Sequence, residues 1–350
     1  VDKDAGFAKI KTLIDRQRKL HPNIILVDCG DTIQDNSAEL FNDLPVHPMV
    51  SAMNMLKYDA WVLGNHEFNF NLSFLKKNIK AFKGSVLSAN IYKTATDKRW
   101  LAPYKIFEKQ DVRIAVVGMI PPAVPTWESA TPQHFEGLRF SDPLSETKKV
   151  VAELDGEYDV LVGAFHIGPK GEHGYDGAEK IAETFPQFDV IFAAHAHAKY
   201  NKKINGVKII EPGKYGWALA KAEINLEKKG NAYEIVSIDT SHIETKKIES
   251  DATILETFKF VHEKSVKDAN LVVGKIAKNF IEKVDYITGD AEVTTMPTSQ
   301  LGDSAIIDLI NDVQMHYTGA QVSSAALFNV GSNLKAGDFK KKDVAYIYKY

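Results

Sequence analysis

The chain has 350 residues, of which 44% are apolar and 25% are charged. At about 100–200 residues per domain this length predicts two domains, and the apolar content excludes a chain that is disordered throughout. The 43 basic and 46 acidic side chains give a net charge of −3, which argues against a protein that binds the backbone of polymeric nucleic acid. No apolar run reaches the roughly 18 residues that indicate a transmembrane segment. The single cysteine, Cys29, excludes an intrachain disulfide and a multi-cysteine zinc site.

Helical and strand-like patterns alternate through the first two thirds of the chain. Phe7, Ile10 and Ile14 recur at helical spacing before Pro22, and a continuous apolar run then predicts a buried strand over residues 24–27. Further strands are predicted over residues 60–63, 86–89, 113–119, 160–165, 190–194, 207–211, 218–224 and 233–238, with helices over residues 48–56, 144–154 and 178–185. Such alternation predicts a layered α/β domain.

The pattern changes near residue 240. Residues 251–269 predict one amphipathic helix, because Ile254, Phe258 and Val261 share a face. The region beyond it predicts a helix over residues 304–316 and strands over residues 321–328 and 344–348. We therefore expect a first domain over residues 1–241, a linker helix within residues 242–269, and a second α/β domain over residues 270–350. The second region is small and stops in an apolar run, and the chain opens without methionine, so we expect both ends to be incomplete.

Four short polar motifs each follow an apolar strand. They are Gly30-Asp31, Gly64-Asn65-His66-Glu67, Phe165-His166 and His195-Ala196-His197. Because ligands bind at the carboxyl ends of strands in α/β sheets, we expect the motifs to converge on one crevice. Carboxylate, amide carbonyl and neutral imidazole suit Zn²⁺, Mn²⁺ or Fe, and the number of donors suits two ions. Each motif alone could be a turn, a solvated pair or a core histidine; together they favour a metal site.

These motifs resemble those of the calcineurin-like metallophosphoesterase superfamily. The wider chain resembles the two-domain 5′-nucleotidase and 2′,3′-cyclic-nucleotide 2′-phosphodiesterase/3′-nucleotidase family. The phrases that carry the resemblance are Gly30-Asp31-Thr32-Ile33-Gln34, Asn65-His66-Glu67-Phe68-Asn69, Asp308-Leu309-Ile310-Asn311 and residues 343–350. The resemblance implies a four-layer α-β-β-α sandwich followed by the start of a C-terminal nucleotidase-type α/β domain, which is partial in this chain.

The same resemblance implies two divalent metal ions, with Zn²⁺ or Mn²⁺ as the first choice and Fe as another. Asp31 would bridge the two ions. The remaining implied ligands in this sequence are Asn65, His166 and His195 for one ion and His197 for the other. The family adds two ligands, an Asp-x-His, from a strand ahead of the position where this sequence begins. Ala194 stands where the family usually has glycine, which predicts modest strain at that turn.

The implied reaction is the attack of a metal-generated hydroxide on phosphorus, with Asp31 and His66 as the catalytic residues. His66 would stabilise the developing charge or protonate the leaving oxygen, and Glu67 would orient groups around the metal. The implied substrate-binding residues are Tyr350, which would stack on the nucleobase, and Phe328 and Asn329. Among the other histidines, His47 and His173 are candidates to lie near the crevice.

The resemblance favours 2′,3′-cyclic nucleotides and 3′-nucleotides as substrates. The alternatives are a 5′-nucleotidase or nucleotide-sugar hydrolase and, from a different class, a non-catalytic nucleotide-binding or metal-binding surface protein. The intact Gly-Asn-His-Glu motif favours an enzyme, because a binding protein has no need of His66. The family works outside the cytoplasm, so we expect a secreted, periplasmic or cell-wall-attached protein whose signal segment is not part of this sequence.

Overall fold

The computed structural model describes residues 4–34, 37–230, 232–327 and 329–347. Their contacts divide the chain into two compact units. The first contains residues 1–34 and 41–258, and the second contains residues 35–40 and 259–350. No helix among the described residues is both long enough and apolar enough to cross a bilayer.

A six-stranded mixed sheet forms the centre of the first unit. Its strands, in spatial order, are Lys199–Ile204, Val207–Pro212, Val190–Ala193, Val160–Phe165, Val112–Met119 and Tyr104–Lys109. The four inner strands are parallel and the two edge strands pair antiparallel to them. Every residue of Val160–Phe165 is buried, as expected of a parallel strand covered on both faces.

Three smaller groups of strands complete the first unit. A parallel sheet contains Val27–Asp28, Ala60–Val62 and Ser85–Leu87; an antiparallel one contains Ile91–Lys93, Lys98–Arg99 and Leu138–Phe140; a long hairpin pairs Ala218–Lys229 with Ala232–Glu244. The helices of this unit are Phe7–Leu20, Pro48–Met55, Leu72–Ala81, Val124–Trp127, Pro143–Glu153, Ala178–Thr184 and Ala252–Thr257, and its short 3₁₀ turns include His66–Phe68 and Pro132–Phe135.

Two apolar clusters hold these layers together. In the first, Val150 and Ile181 from the helices pack against Phe165 and Ile191 of the six-stranded sheet. In the second, strand residues such as Val62 and Leu87 of the small parallel sheet pack with Val116, Val162 and Ala164 of the large one. Helix, sheet and sheet therefore form successive layers, and the predicted α/β fold class is confirmed.

The second unit is smaller and has its own core. Its helices are Lys259–Ala269, Ala305–Thr318 and Lys341–Ile347, and its hairpin pairs Val272–Ile276 with Gly337–Lys340. Ile281, Ile306, Leu334 and Ile347 form the buried cluster.

The linker differs from the single helix that the sequence predicts. Two helices, Ala252–Thr257 and Lys259–Ala269, are separated at Phe258, whose backbone angles of φ −105° and ψ 16° leave the α region. The hairpin strand also continues to Glu244, so residues 242–244 are strand and not linker. Amphipathic spacing continued across Phe258 and concealed the break.

Two strands predicted in the second region are absent from the described residues. Residues 344–347 lie in the helix Lys341–Ile347, where the Asp343 carboxylate accepts a hydrogen bond from the Lys340 N–H at 2.8 Å and Ile347 enters the core. Residues 321–327 form no strand, and Phe328 lies outside the described residues. Apolar runs this short do not distinguish a helix from a strand.

A buried carboxylate organises the loop that precedes Ala305–Thr318. Asp285 is fully buried. Its oxygens accept hydrogen bonds from four backbone N–H groups, those of Ile287, Thr288, Thr294 and Thr295, at 2.6–3.0 Å, and from the Thr295 hydroxyl at 2.6 Å. The Thr295 hydroxyl and these N–H groups hold the pKa of Asp285 far below its usual range.

We expect Asp285→Asn to loosen this loop, because the new amide presents a donor to groups that are themselves donors. Hydrogen exchange of the Thr294 and Thr295 amides should accelerate. The folded pKa is depressed, so the stability from Asp285 is complete above about pH 4 and is lost as pH falls. The variant should therefore show a weaker acid dependence of its melting temperature. The exposed Asp290 gives the matched control, Asp290→Asn, and equal exchange rates in the two variants would contradict this role.

Candidate metal centre

Polar residues at the ends of three strands meet at one point in the first unit. Asp31, His166 and His195 each present a ligand atom, and these three atoms all lie within 4.8 Å of one another. The Asp31 Oδ2–His166 Nε2 distance is 2.9 Å and the His195 Nδ1–His166 Nε2 distance is 3.3 Å. The Asn65 carbonyl oxygen lies 3.2 Å from the same His166 nitrogen. The structure thus brings together four of the residues that the sequence singled out.

Hydrogen bonds outside the cluster orient its two imidazoles. His166 Nδ1 lies 2.7 Å from the carbonyl oxygen of Cys29, an acceptor, so Nδ1 is the donor and Nε2 faces the cluster. His195 Nε2 contacts the Glu172 carboxylate, which leaves Nδ1 facing inward. A carboxylate or carbonyl behind the imidazole is the usual arrangement of histidine metal ligands.

The close contact between Asp31 and His166 changes the pKa values of the cluster. Burial opposes the charged form of His166, but Asp31 outweighs it and raises the pKa of His166 to about 9. Burial likewise disfavours ionisation of Asp31, yet His166 and His66 hold the pKa of this carboxyl well below its usual range. Burial and the neighbouring His166 lower the pKa of His195. The donors themselves, one carboxylate, one amide oxygen and two oriented imidazoles, are of the types that hold a divalent ion.

His197 stands apart from the three-residue cluster. Its ring centroid lies 6.3 Å from that of Tyr215. Burial and the Lys214 ammonium lower the pKa of His197, whereas Asp31 acts to raise it. His197 is thus within electrostatic reach of Asp31 without joining the group whose ligand atoms converge.

Three of these residues have left-handed backbones. The φ angles are 57° at Asp31, 77° at His195 and 57° at His197. A non-glycine residue in this region costs about 1–3 kcal/mol and is typical of functional sites. The strain expected at Ala194 is not found there, because Ala194 is not left-handed; it falls on the following histidine, which carries the turn.

Two glycines allow the Asp31 turn to approach the Asn65 turn. A Cβ on Gly64 would lie 2.2 Å from Asp31 Oδ1, and a Cβ on Gly30 would lie 2.5 Å from the Gly64 nitrogen. Gly30 also has a φ of 94°. Neither position has room for a side chain.

Glu67 joins the same two turns by hydrogen bonds. It is buried, and its carboxylate accepts from the N–H groups of Asp31 at 2.9 Å, Thr32 at 2.7 Å, Ile33 at 3.0 Å and Gly64 at 2.5 Å. Burial and then the nearby Asp31 raise the pKa of Glu67, against the effect of these N–H groups. Glu67 therefore holds together the backbone of the two turns. This contact explains why a glutamate stands at the end of the Gly-Asn-His-Glu motif.

His66 lies beside the cluster. Its backbone N–H donates to Asp31 Oδ1 at 2.8 Å, and its Nδ1 lies 2.6 Å from Asn69 Oδ1. The side chain of His66 does not belong to the group of converging ligand atoms found among the described residues.

The other candidates are placed as follows. Asn329, in the second unit, donates to the Tyr346 carbonyl at 3.3 Å, and Phe328 and Tyr350 lie outside the described residues. His47 caps the helix Pro48–Met55, where its ring accepts from the Met49 N–H at 3.3 Å. His173 accepts from Trp127 Nε1 at 3.1 Å, and the Trp127 ring packs on His195 with a centroid distance of 5.1 Å. Of these two, His173 is the one that contacts the surroundings of the cluster.

Sequence reasoning missed three carboxylates around the centre. Glu172 contacts His195 and accepts from the Tyr175 hydroxyl at 3.0 Å. Asp28 accepts from the Gly30 N–H at 3.0 Å. Glu128 lies 2.6 Å from the amide nitrogen of Asn69. Asp28 sits at the end of a strand and could have been noticed there, whereas the two glutamates come from loops that carry no motif.

Two family profiles match the chain. Residues 3–199 match calcineurin-like phosphoesterase, and residues 273–350 match 5′-nucleotidase, C-terminal domain. The first match includes Asp31, Asn65, His166 and His195, and the second covers most of the second unit.

The chain is similar to several bacterial proteins. It is 26% identical to the trifunctional nucleotide phosphoesterase protein YfkN of Bacillus subtilis, over 99% of this chain and 27% of that protein. It is 28% identical to the 2′,3′-cyclic-nucleotide 2′-phosphodiesterase/3′-nucleotidase of Haemophilus influenzae, over 97% and 56%, and 29% identical to the 5′-nucleotidase of Vibrio cholerae, over 97% and 66%. The crystal structure of the calcineurin-like phosphoesterase YfkN matches with a TM-score of 0.68 at 28% identity, over 76% of this chain and 90% of that one. The chain spans between 27% and 66% of the length of these three relatives.

We expect Gly64→Ala to empty the metal centre, because the added methyl would displace the Asp31 carboxylate that it meets at 2.2 Å. Metal content of the purified protein, measured by atomic emission, should fall severalfold while circular dichroism stays native. Gly302→Ala is the matched control, since a Cβ there meets nothing within 4 Å. Full metal content in the Gly64 variant would show that Asp31 does not hold the ion.

Proposed function

The chain belongs to the calcineurin-like phosphoesterase family, and on this premise we propose that it hydrolyses nucleotide phosphoesters with the help of divalent metal ions. The observation that carries the proposal is the convergence of Asp31, Asn65, His166 and His195 in one place. The specific activity that we propose is that of a 2′,3′-cyclic-nucleotide 2′-phosphodiesterase with 3′-nucleotidase activity. Its support is the resemblance over residues 343–350 and the similarity to the Haemophilus influenzae protein.

In this proposal Asp31 would be a ligand of both ions. Asn65, His166 and His195 would hold one of them, and His197 would contribute to the other. Zn²⁺ or Mn²⁺ suits this mixture of oxygen and nitrogen donors, and Fe is also compatible. When bound, a pair of divalent ions polarises the phosphoryl oxygens and supplies a nucleophile from water at neutral pH.

The protein groups around the centre supply orientation. Glu172 contacts the outer nitrogen of His195 and so keeps Nδ1 turned inward. The His66 N–H donates to Asp31 Oδ1, which leaves Oδ2 for His166 or for an ion. The interaction of His66 Nδ1 with Asn69 leaves Nε2 as the ring atom that can hold or release a proton near the leaving oxygen. Proton transfer by a positioned histidine contributes about 10²–10⁴-fold to a rate.

We propose that the second unit binds the nucleobase. Tyr350 would stack on the base, an interaction worth about 1–3 kcal/mol that depends little on which base is bound, and Phe328 and Asn329 would line the same pocket. The support for these roles is the resemblance of the sequence and the match to the C-terminal nucleotidase domain. The substrates in this proposal are single nucleotides rather than polymeric nucleic acid.

A 5′-nucleotidase is the second candidate, favoured by the 29% identity to the Vibrio cholerae protein. Initial rates on 2′,3′-cyclic AMP, 3′-AMP and 5′-AMP separate the two candidates, since each predicts a different best substrate. Absence of turnover on all three nucleotides, in metal-loaded protein, would instead support a non-catalytic nucleotide-binding or metal-binding protein.

We also propose that the protein works outside the cytoplasm, as the resembled family does, in secreted, periplasmic or cell-wall-attached form. Fractionation of the source cells tests this location, and recovery of the protein in the cytosol alone would contradict it.

The proposed roles predict that two neighbouring substitutions have different effects. His66→Ala should keep the metal content and lower kcat on 2′,3′-cyclic AMP by about 10²-fold or more, because His66 is not a ligand. Asn65→Ala should lower the metal content itself, because a ligand is lost. His262→Ala, on an exposed helix position, is the control for loss of an imidazole. Metal loss in the His66 variant would assign that residue to the metal centre instead.

A further inference from the structure

A chain of two short hydrogen bonds leads from His66 to a carboxylate outside the metal centre. His66 Nδ1 lies 2.6 Å from Asn69 Oδ1, and Asn69 Nδ2 lies 2.6 Å from Glu128 Oε1. Glu128 is distant in sequence, at the end of the short helix Val124–Trp127. None of the motifs in the sequence includes it.

The direction of this chain follows from the chemistry of its last member. An ionised carboxylate only accepts hydrogen bonds. Glu128 therefore requires the NH₂ group of the Asn69 amide on its side, and the carbonyl oxygen of that amide must face His66. A carbonyl oxygen also only accepts, so the His66 nitrogen that faces it carries a proton. Through Asn69, Glu128 determines which ring nitrogen of His66 is the donor, and Nε2 is left for the reaction.

Glu128 is itself held in place. Its second carboxylate oxygen accepts from the Thr131 hydroxyl at 2.9 Å, and its backbone N–H donates to the Val124 carbonyl at 2.9 Å. Its side chain is 14% exposed. His134 lies 3.7 Å from the same carboxylate oxygen and also interacts through Nδ1 with the carbonyl of Phe68 at 3.0 Å, which ties this segment to the turn that carries His66.

We propose that Glu128 is a positioning residue for His66, acting through the Asn69 amide. The inference rests on the proposed function, in which His66 acts on the leaving oxygen. Without Glu128 the Asn69 amide has no reason to keep one orientation, and the flipped amide offers an NH₂ group to Nδ1. The His66 ring then takes the opposite tautomer or rotates away.

The first test reads the tautomer directly and does not depend on activity. Long-range ¹H–¹⁵N spectra of the metal-free full chain, at a pH where the imidazole is neutral, report which ring nitrogen of His66 carries the proton. We expect protonated Nδ1 in the native protein and a mixture of tautomers in Glu128→Gln, whose amide can present either end to Asn69. Glu136→Gln removes the same charge from an exposed side chain of the same segment and should leave the spectrum native. An unchanged His66 spectrum in Glu128→Gln overturns the proposal.

The second test exchanges the amide and the carboxylate. Glu128→Gln alone should lower kcat on 2′,3′-cyclic AMP by about 10–100-fold, the usual effect of losing an outer hydrogen-bond partner, with KM and metal content unchanged. Asn69→Asp alone should be at least as harmful, because it sets two carboxylates against each other. The double variant restores the sequence of donors and acceptors from His66 outward, so its kcat should return to within severalfold of the native value.

The outcomes separate the proposal from the function on which it rests. If Glu128 only supports the fold, the double variant is no better than the worse single variant, and the proposal fails. If the native protein hydrolyses none of the nucleotides, the proposed function fails, while the tautomer spectra still decide whether Glu128 orients His66. If the Glu128→Gln variant does not fold, Asn69→Asp can still be compared with the double variant. A double variant that is no more active than Asn69→Asp again overturns the proposal.

Discussion

The carboxylate of Glu67 is the interaction on which the metal centre depends. Four backbone N–H groups from two turns, one carrying Asp31 and the other Asn65 and His66, donate to it. These turns follow different strands, and only the contact between Gly30 and Gly64 lets them come close enough to share one acceptor. A buried charge with this many donors is stable where an isolated one would not be. The arrangement explains why glycine, asparagine, histidine and glutamate occur together in one motif: each has a separate task at the same point.

Backbone strain and electrostatic interactions are concentrated at the same place in the first unit. Asp31, His195 and His197 occupy left-handed backbone conformations that cost free energy. Asp31 Oδ2 and His166 Nε2 lie 2.9 Å apart, and each favours the charged form of the other. The layers of apolar side chains beneath the strands hold these ends rigid, so the fold rather than the centre supplies the free energy that keeps the strained turns in place.

The sequence predicted the parts of the site that strand periodicity controls. Apolar runs located the strands that precede the motifs, and polar residues that follow such a run within a few positions had to lie near the carboxyl end of that strand, so Asp31, His166 and His195 could be found without a structure. Glu172 and Glu128 could not, because they belong to loops whose paths depend on the packing of the whole unit. Local ambiguity explains the remaining errors: residues 344–347 alternate like a strand but form a helical turn that carries Ile347 into the core, and Phe258 interrupts a helix without breaking its apolar spacing.

The two classes of residue around the centre follow different physical rules. The donors on strand ends are few, at least partly buried and constrained by backbone geometry, so chemistry allows little variation among them. The groups behind them act through hydrogen-bond direction: Glu172 on His195, the Cys29 carbonyl on His166, and Glu128 on Asn69. Direction can be supplied from any loop that reaches the right place. An amide inserted between a histidine and a carboxylate transmits that direction, because its carbonyl oxygen accepts on one side while its NH₂ group donates on the other, as Asn69 does between His66 and Glu128.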